Sequence, residues 1–429
     1  MKRLRIALFA LLPLIFLAGC AKNPVTGETQ LRLISTQQEV AMGEKQYQPT
    51  MQIQGGEYRV DEELTKYVNE VGQKLAKVSD RPDLPYEFSV LTSDVPNAWA
   101  LPGGKIAVNR GLLLALENEA QLAAVLGHEI VHAAASHSAQ QMQKGMLINA
   151  GMAGLGIALS DNEYTQWIMG GAALGAQLTM AQYGQADELE SDHYGMQYMA
   201  QAGYDPMAAV ELQRIFVKLM EGQEQSWLKG LFASHPPSQE RVEKNLEMAK
   251  KLGKGGRIGH DTYMAKTAHI RKTEPAYEKA NEAEKLAKDK QYDAALAKIR
   301  DAQKIEPRQS SFHATEGEIL KRQGHNEAAI KKLNRAIDLY PSMFTYHLQR
   351  GTIHEEMKNW QAARADYERS LETVPTALAH LGLGNADRAL GNEGEAIEHY
   401  RVAAQADGKV GEAARAHLQA MGVKVAPGQ

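Results

Sequence analysis

The chain lacks three features that would otherwise define its class. Its 429 residues include a single cysteine, Cys20, so a disulfide within the chain and a cysteine-based zinc site are both excluded. It has no basic stripe, and 48 Lys and Arg stand against 52 Asp and Glu, which argues against nucleic acid as a partner. No apolar run reaches the roughly 20 residues that a membrane-spanning helix needs. These absences direct attention to a few short motifs.

The N-terminus is typical of an export signal. Residues 1–19 have a basic start, an apolar run from Ile6 to Ala18 and a small residue before the cysteine. Leu-Ala-Gly-Cys resembles the bacterial lipobox, which implies that Cys20 is lipidated and becomes the mature N-terminus. Ala21 is not Asp, which by bacterial sorting analogy favours the outer membrane. Residues 1–19 hold three basic and no acidic groups, so 45 basic and 52 acidic residues remain without them, a net charge of −7.

The stretch "VLGHEIVHAAASH", residues 125–137, predicts a zinc-binding helix. Asn118 with Gln121 three residues later predicts an N-cap and capping box. At 3.6 residues per turn, His128 and His132 share one face, and Glu129 lies about 100° round from His128. In the H-E-x-x-H arrangement two imidazoles bind one Zn²⁺ and the carboxylate is the general base for a water molecule. The alternative is a buried helix that carries histidines by chance.

His137 is a weaker candidate. Nine residues after His128, it points to roughly the opposite side of a continuous helix. It therefore cannot join the site as a ligand unless the helix ends before it.

A tetrahedral catalytic zinc needs one more protein ligand and an open position. The helical run "YGQADELESDHYG", residues 183–195, offers Glu188 and Asp192 on one face, four residues apart. One of them can bind the metal while the other holds the N–H of a ligating histidine. The alternative is a solvated acidic face of a surface helix.

Together, HEIVH and E-L-E-S-D resemble the gluzincin family of metallopeptidases that includes the CAAX prenyl endopeptidase and the HtpX heat-shock protease. In that family the Glu of E-x-x-x-D is the third zinc ligand, which implies Glu188 here and leaves Asp192 for the histidine contact. The resemblance implies one Zn²⁺ per chain, zinc-dependent endopeptidase activity and a mostly helical α+β zincin-type domain with a small sheet. Gln185 and Ser191 stand where the family commonly has Arg and Ala. Neither is a ligand, so the departures concern helix packing.

The stretch "NAWALPGGKIAVNRGLL", residues 97–113, resembles the strand and turn that precede the zinc helix in this family. Leu-Pro-Gly-Gly predicts a turn and "KIAVN" alternates like a strand. A strand at the rim of a cleft can bind an extended peptide by β-augmentation, whereas the alternative is an ordinary hairpin. The resemblance implies that Asn97 is a candidate for holding the substrate backbone.

The stretch "ASHPPSQERV", residues 233–242, is similar to the Ser/Thr-His-Pro-Pro motif of the same family. Two prolines stiffen the chain after His235. A rigid histidine can donate to the oxyanion that forms when water attacks a peptide carbonyl, or it can bind zinc in a resting state. Both roles remain open for His235.

Two apolar stretches follow the zinc helix, "GMLINAGMAGLGIALS" and "WIMGGAALGAQLTMA", between residues 145 and 181. Each is only about 15 residues long, which is short of a membrane span. Their Gly and Ala content favours close helix packing, with a lipid-dipping or substrate-covering hairpin as the alternative.

The C-terminal part of the chain repeats with a period of 34 residues. The repeat positions hold a small residue where paired helices touch, a larger apolar residue four positions on, and a proline after the second helix. They are Ala295, Ala329, Ala363 and Ala396, then Ile299, Leu333, Tyr367 and Tyr400, and Pro307, Pro341 and Pro375. This is the tetratricopeptide pattern, with four repeats over about 276–409 and a capping helix after them. Such all-α solenoids present a concave surface to peptides or partner proteins.

We therefore expect five segments: a lipoprotein signal peptide (1–19), a tether with a first helix (20–55), a zinc metallopeptidase domain (56–249), a linker (250–275) and tetratricopeptide repeats with a capping helix (276–429). The resemblance to periplasmic members of the family implies quality control of unfolded or misassembled outer-membrane proteins. The repeats would recruit these clients or the β-barrel assembly machinery, and a lipid anchor would hold the protein at the membrane, with the outer membrane favoured over the inner. The alternative is a repeat-based chaperone or scaffold with a latent protease site.

Overall fold

The computed structural model describes residues 20–144, 183–221, 235–253 and 255–424. The predicted export signal and the two apolar stretches between residues 145 and 181 lie outside these described residues. The chain divides into two compact units: the first ends at Ala268, and the second comprises the residues from His269 onward together with Arg59–Asp61. Among the described residues, no helix combines the length and the apolar character that crossing a bilayer requires.

The first unit begins with a hairpin and a capped helix. Strand β1 (Cys20–Lys22) pairs antiparallel with β2 (Thr29–Leu31). Helix α1 (Thr36–Ile53) starts at Ser35, whose side chain accepts a hydrogen bond from the backbone of Gln38, while the Gln38 side chain accepts one from the backbone of Ser35. The composition of residues 20–55 predicts the helix but not the hairpin.

A three-stranded sheet follows helix α2 (Glu62–Ala76). Its strands are β3 (Glu87–Leu91), β4 (Ala98–Leu101) and β5 (Lys105–Asn109), in the order β3-β5-β4, with β3 parallel and β4 antiparallel to β5. Gly103 and Gly104 have φ values of 77° and 89°, a left-handed conformation that glycine adopts at little cost in this tight turn. In the described part of the chain β4 is an edge strand, the arrangement that peptide pairing needs.

The helices that follow the sheet in the first unit are α3 (Arg110–Ala115), α4 (Glu119–Ala134), α5 (Gln185–Gln201), α6 (Met207–Glu221), α7 (Gln239–Leu252) and α8 (His260–Lys266). The buried helix of the unit is α4. All residues of α4 are buried, and the helix packs against α2, α5 and α6 and against the sheet. Its burial explains why its sequence is apolar on all sides and lacks an amphipathic stripe.

The second unit is a succession of helix pairs. Its helices are α9 (Ala268–Lys288), α10 (Tyr292–Ile305), α11 (Ser310–Arg322), α12 (Asn326–Leu339), α13 (Phe344–Glu356), α14 (Trp360–Leu371), α15 (Ala377–Leu390), α16 (Glu393–Ala403) and α17 (Gly408–Ala420). Residues 250–275, expected to be a linker, hold the end of α7, helix α8 and the first turns of α9. The predicted fold class, a mostly helical domain with a small sheet followed by helical repeats, is confirmed.

Glycines allow the close contact within the helix pairs. A Cβ atom on Gly384 of α15 would lie 2.5 Å from the Tyr400 ring of α16, and one on Gly351 of α13 would lie 3.1 Å from the Tyr367 ring of α14. In these two pairs the repeat glycine makes room for an aromatic ring, and a larger residue at either position would disturb the packing.

Candidate metal centre

Helix α4 begins at a side-chain cap that fixes its register. The side chain of Asn118 accepts a hydrogen bond from the backbone N–H of Gln121 at 2.9 Å. The Gln121 side chain in turn accepts one from the backbone N–H of Glu117 at 2.8 Å, one residue earlier than a standard capping box. From this start, His128, Glu129 and His132 fall in the buried middle of the unit.

Two glycines bring α5 against α4 beside these histidines. A Cβ on Gly127 would lie 3.0 Å from the backbone oxygen of Gly195, and a Cβ on Gly195 would lie 2.9 Å from the backbone nitrogen of His128. The helices therefore cross at backbone contact. This crossing carries Glu188 and Asp192 of α5 to the histidines of α4.

Four side chains converge at the crossing. His128, His132, Glu188 and His235 each offer one metal-binding atom, and these atoms all lie within 4.8 Å of one another. His128 Nε2 is 3.0 Å from His132 Nε2 and 3.3 Å from His235 Nδ1. Glu188 Oε1 is 3.3 Å from His132 Nε2 and 3.0 Å from His235 Nδ1. Ligands around a tetrahedral zinc are separated by roughly 3.3 Å, so the spacing suits one zinc ion.

The far nitrogens of the two α4 histidines have protein partners. His128 Nδ1 lies 2.9 Å from Asp192 Oδ1. His132 Nδ1 lies 2.9 Å from His137 Nδ1, and His137 Nε2 lies 3.2 Å from Glu190 Oε1. Such contacts fix the tautomer and orientation of ligating histidines, so each Nε2 presents its lone pair to the cluster.

Arg241 joins the two carboxylates of α5. Its Nε and Nη2 donate to the two oxygens of Asp192 at 2.7 and 2.8 Å, and its Nη1 lies 2.9 Å from Glu188 Oε2. The side chain of Ser238 caps α7 by accepting from the backbone N–H of Arg241, which sets this arginine in the first helical turn. Arg241 is buried, as are both carboxylates. A planar guanidinium in a two-point pair holds them in one orientation.

The cluster attracts positive charge. Burial alone lowers the pKa of His128, but Glu188 and Asp192 raise it to about 10. Burial also acts to raise the pKa of Glu188, yet His235 and His128 hold it well below its usual range. Burial lowers the pKa of His132 well below that of a free imidazole. The two buried carboxylates thus favour positive charge at the cluster, which a proton on His128 or a bound cation such as zinc can supply.

Glu129 lies beside the cluster as a separate buried carboxyl group. Burial raises its pKa, and its Oε2 has no hydrogen-bond partner among the described residues. Its Oε1 is 3.6 Å from His235 Nε2, an imidazole nitrogen that likewise has no hydrogen bond within the described chain. A buried carboxyl with a raised pKa and one oxygen without a hydrogen bond in the described residues has the properties of a general base.

Tyr183 covers the second histidine. Its ring stacks on His132 with centroids 3.8 Å apart and planes at 25°. Its hydroxyl lies 2.9 Å from Ser138 Oγ, and burial raises the pKa of this phenol. The tyrosine restricts the imidazole of His132 to one plane.

Two predicted positions lie apart from the donor set. Asn97 precedes β4 and is buried; its backbone oxygen accepts from the backbone N–H of Asn109, and its side-chain Oδ1 has no hydrogen-bond partner in the described residues. Cys20 is the first residue of β1. The substrate contact of Asn97 and the lipidation of Cys20 stay predictions.

Sequence reasoning missed two contributors, Arg241 and Tyr183, and gave His137 a place at the site only if the helix ended before it. His137 reaches the site because α4 ends at Ala134 and Ser136 takes a φ of 61°, which redirects the chain. The signal for Arg241 was its place in the quoted "ASHPPSQERV" stretch, six residues after His235. No local pattern pointed to the tyrosine.

A helix with H-E-x-x-H and a carboxylate from a second helix define the class of zinc metallopeptidases. The model of peptidase family M48 matches residues 62–249, and tetratricopeptide repeat models match residues 314–377 and 348–411. The chain belongs to peptidase family M48. The expected resemblance to a zinc metallopeptidase family with repeats is thereby confirmed, and the donor cluster is compatible with one zinc ion.

Several curated proteins are similar to this chain. The metalloprotease YcaL of Escherichia coli is 31% identical over 182 residues, which cover 40% of this chain and 67% of that protein. The mitochondrial metalloendopeptidase OMA1 of Schizosaccharomyces pombe is 30% identical over 226 residues, or 52% and 64% of the two chains. The beta-barrel assembly-enhancing protease of Yersinia pestis is 28% identical over 190 residues, or 43% and 39%. The chain thus spans less than two thirds of the last two relatives. Family and relatives support a zinc-dependent metalloendopeptidase.

Proposed function

We propose that this protein is a periplasmic, membrane-anchored zinc endopeptidase that cleaves unfolded or misassembled outer-membrane proteins. The observation that carries the proposal is the convergence of His128, His132 and Glu188 beside the separate buried carboxyl of Glu129. These three residues would hold the zinc. When bound, zinc supplies a Lewis acid that polarises a carbonyl and lowers the pKa of water.

The residues of the chain perform the proton transfers. Glu129 accepts the proton of the attacking water and returns it to the leaving amine, and burial, which raises its pKa, makes it a stronger base than an exposed carboxylate. Asp192 and Arg241 keep the first histidine and Glu188 in position. The fixed groups reduce reorganisation during the reaction.

His235 holds the resting state in this proposal. Its Nδ1 lies among the donor atoms, 3.0 Å from Glu188 Oε1 and 3.3 Å from His128 Nε2. With zinc held by the other three residues, His235 would supply a fourth protein donor where a catalytic site needs an open position for water or substrate. Displacement of this histidine would open the site, and its imidazole would then be free to donate to the oxyanion.

Edge strand β4 is the proposed substrate platform. Ala98, its first residue, lines the same cavity as His128 and Glu129, so a peptide paired with β4 passes the base. Pairing through the backbone gives little sequence preference, which suits unfolded clients. Asn97, immediately before the strand, would hold the peptide backbone.

The membrane anchor and the repeats supply location and recruitment. The lipobox-like end at Cys20 supports a lipid anchor, with the outer membrane favoured by Ala21. The repeats would bind clients or the β-barrel assembly machinery, which the name of the beta-barrel assembly-enhancing protease relatives supports. Tethering raises the effective concentration of a client at the cleft, to the mM range for a short linker.

Digestion of an unfolded protein by the purified full chain, with and without a chelator, tests the activity. We expect internal cuts that stop on chelation and return with zinc. Absence of metal-dependent internal cuts would reject the proposal.

The scaffold alternative makes a different prediction in cells. If the repeats act mainly as a chaperone, a strain that lacks the protein would be rescued by Glu129→Gln as well as by the wild type. The endopeptidase proposal predicts that Glu129→Gln fails to rescue the turnover of misassembled outer-membrane protein.

A further inference from the structure

A buried arginine connects three parts of the first unit. Arg81 lies between α2 and β3 and is 6% exposed. Its Nη1 donates to Glu39 Oε2 of α1 at 3.1 Å, to Ser136 Oγ at 3.0 Å and to the backbone oxygen of Ala134 at 3.3 Å. Its Nη2 donates to Thr36 Oγ1, also of α1, at 3.3 Å. Arg81 therefore joins the first turn of α1 to the end of the histidine-bearing helix α4.

The C-terminal end of α4 is suited to a buried cation. The last carbonyl groups of a helix lack N–H partners within the helix and carry the negative end of its dipole. Ala134, whose carbonyl oxygen accepts from Arg81, is the last residue of α4. A guanidinium is planar, always charged and able to donate to several acceptors at once. The carboxylate of Glu39, 1% exposed, balances this charge inside the unit.

The contacts of Arg81 fall on the turn that brings His137 to the metal centre. Ser136 has a φ of 61°, a conformation that a residue with a side chain adopts only where its surroundings hold it. Beyond the turn, Ala139 belongs to the same core cluster as Met51 of α1. The turn is thus held from α1 on both sides, by the arginine before it and by apolar packing after it.

The place of His137 decides which nitrogen of His132 is free. His137 Nε2 lies 3.2 Å from Glu190 Oε1, and a carboxylate can only accept, so this nitrogen carries the proton. His137 Nδ1 then accepts from the Nδ1–H of His132 at 2.9 Å. The Nε2 of His132 is left with its lone pair toward the donor cluster. This order of donors and acceptors is kept only while the turn holds His137 in place.

We propose that Arg81 is a positioning residue of the metal centre: it holds the turn at Ser136 so that His137 orients the ligand His132. The inference rests on the proposed zinc site. It makes α1 a working part of that site, although the matching family model begins only at residue 62. Without Arg81, the end of α4 and its turn would lose their polar anchor, and the His132 imidazole would lose its fixed direction.

The test measures the zinc affinity of the full chain by competition with a chromogenic chelator. Arg81→Gln loses the charged contacts with the turn, and we expect zinc affinity to fall about 10–100-fold. His137→Leu removes the contact with His132 and should lower the affinity by a similar factor. If Arg81 acts through His137, the two losses do not add, and the double variant binds zinc no more weakly than His137→Leu.

Tyr47→Phe is the matched control. Tyr47 lies on the same helix α1, and its hydroxyl donates to the backbone oxygen of Ile106 in the sheet at 2.7 Å. Losing this bond weakens the attachment of α1 without releasing the turn. The variant should therefore unfold at lower urea concentration than the wild type while its zinc affinity stays unchanged.

Ser136→Gly is the second variant at the turn. It removes one acceptor of Arg81 and keeps a backbone conformation that glycine adopts readily, so the fold is retained. We expect its zinc affinity to fall several-fold. This variant carries the test alone if Arg81→Gln does not fold.

The outcomes separate this inference from the proposed function. Wild-type zinc affinity in folded Arg81→Gln or in Ser136→Gly, additive losses in the double variant, or an equal loss in Tyr47→Phe would each overturn the positioning role. A wild type that binds no zinc would overturn the proposed metal centre itself. A wild type that binds zinc without cutting protein would overturn the endopeptidase and leave the role of Arg81 to be decided by the affinities alone.

Discussion

Gly127 of α4 and Gly195 of α5 lie in backbone contact: a Cβ on Gly127 would be 3.0 Å from the carbonyl oxygen of Gly195. On α4, His128 and His132 lie one and five residues after Gly127, and on α5 Glu188 lies seven residues before Gly195. The separation of the two helices thus sets the distance between the histidines and Glu188, and small residues at the crossing are a condition for metal binding.

Gly195→Ala should weaken this arrangement. Its new Cβ would be 2.9 Å from the backbone nitrogen of His128, so the helices must move apart. We expect a loss of about 1–3 kcal/mol in the free energy of unfolding, measured by denaturant titration, together with weaker zinc binding. Gly394→Ala is the control, because Gly394 lies in α16 with open space around it. Equal zinc affinity in Gly195→Ala and wild type would show that the crossing does not set the site.

Arg241 should position the metal ligands without binding the metal. Both Arg241→Gln and Arg241→Lys lose the two-point pair with Asp192, and the lysine cannot replace a planar fork. We expect zinc affinity, measured by competition with a chromogenic chelator, to fall about 10–100-fold. Arg257→Gln is the control, since Arg257 pairs with Glu119 at the first residue of α4. An unchanged zinc affinity in Arg241→Lys would show that Arg241 contributes only its positive charge.

His235→Ala distinguishes the two roles left open for this histidine. Because Nδ1 lies within the donor cluster, we expect zinc to bind more weakly in the variant. If zinc affinity were unchanged while kcat fell about 10²–10³-fold, oxyanion donation would be the sole role instead. Parallel measurement of zinc affinity and kcat decides between them.

Glu316 should make the second unit acid-sensitive. Burial would raise its pKa, but hydrogen bonds from Lys332, Arg300 and Gln303 outweigh burial and lower it. A carboxyl group whose pKa is lowered in the folded state contributes its full stabilisation at pH values above its unfolded-state pKa of about 4.3. This contribution is lost as the pH falls through the folded-state pKa. The free energy of unfolding, measured by urea titration at pH 6 and below, should therefore fall more steeply with decreasing pH in the wild type than in Glu316→Gln.

Glu318→Gln is the control for this effect. Glu318 lies on the same helix α11 and pairs with Arg322 at 2.9 Å, where both side chains are partly exposed and contribute little. A pH profile of Glu316→Gln parallel to that of the wild type would contradict the account.

Features set by local spacing could be predicted from the sequence. H-E-x-x-H and the Glu188–Asp192 pair each lie on one helix face, so helix periodicity alone places them together. The 34-residue period likewise reports contacts between neighbouring helices. The strand and turn over residues 97–109 follow from the alternating side-chain pattern of "KIAVN" and from two adjacent glycines.

Features set by the tertiary fold could not be predicted. "HAAASH" contains no Gly or Pro, so a continuing helix was expected, yet the chain turns at Ser136 and returns His137 to His132. Arg241 contacts Asp192 across 49 positions. The cavity beside Glu129 is lined by residues of α3, α4, α5, α6 and α7, and the mutual packing of these helices is not encoded in any one of them.

The most direct test of the central claim is the Glu129→Gln variant of the full chain, assayed for zinc content and for internal cleavage of an unfolded protein. The ligands remain while the proton acceptor is lost, so we expect one zinc per chain, as in wild type, and no cleavage above background. Wild-type cleavage by Glu129→Gln at full zinc occupancy would contradict the account.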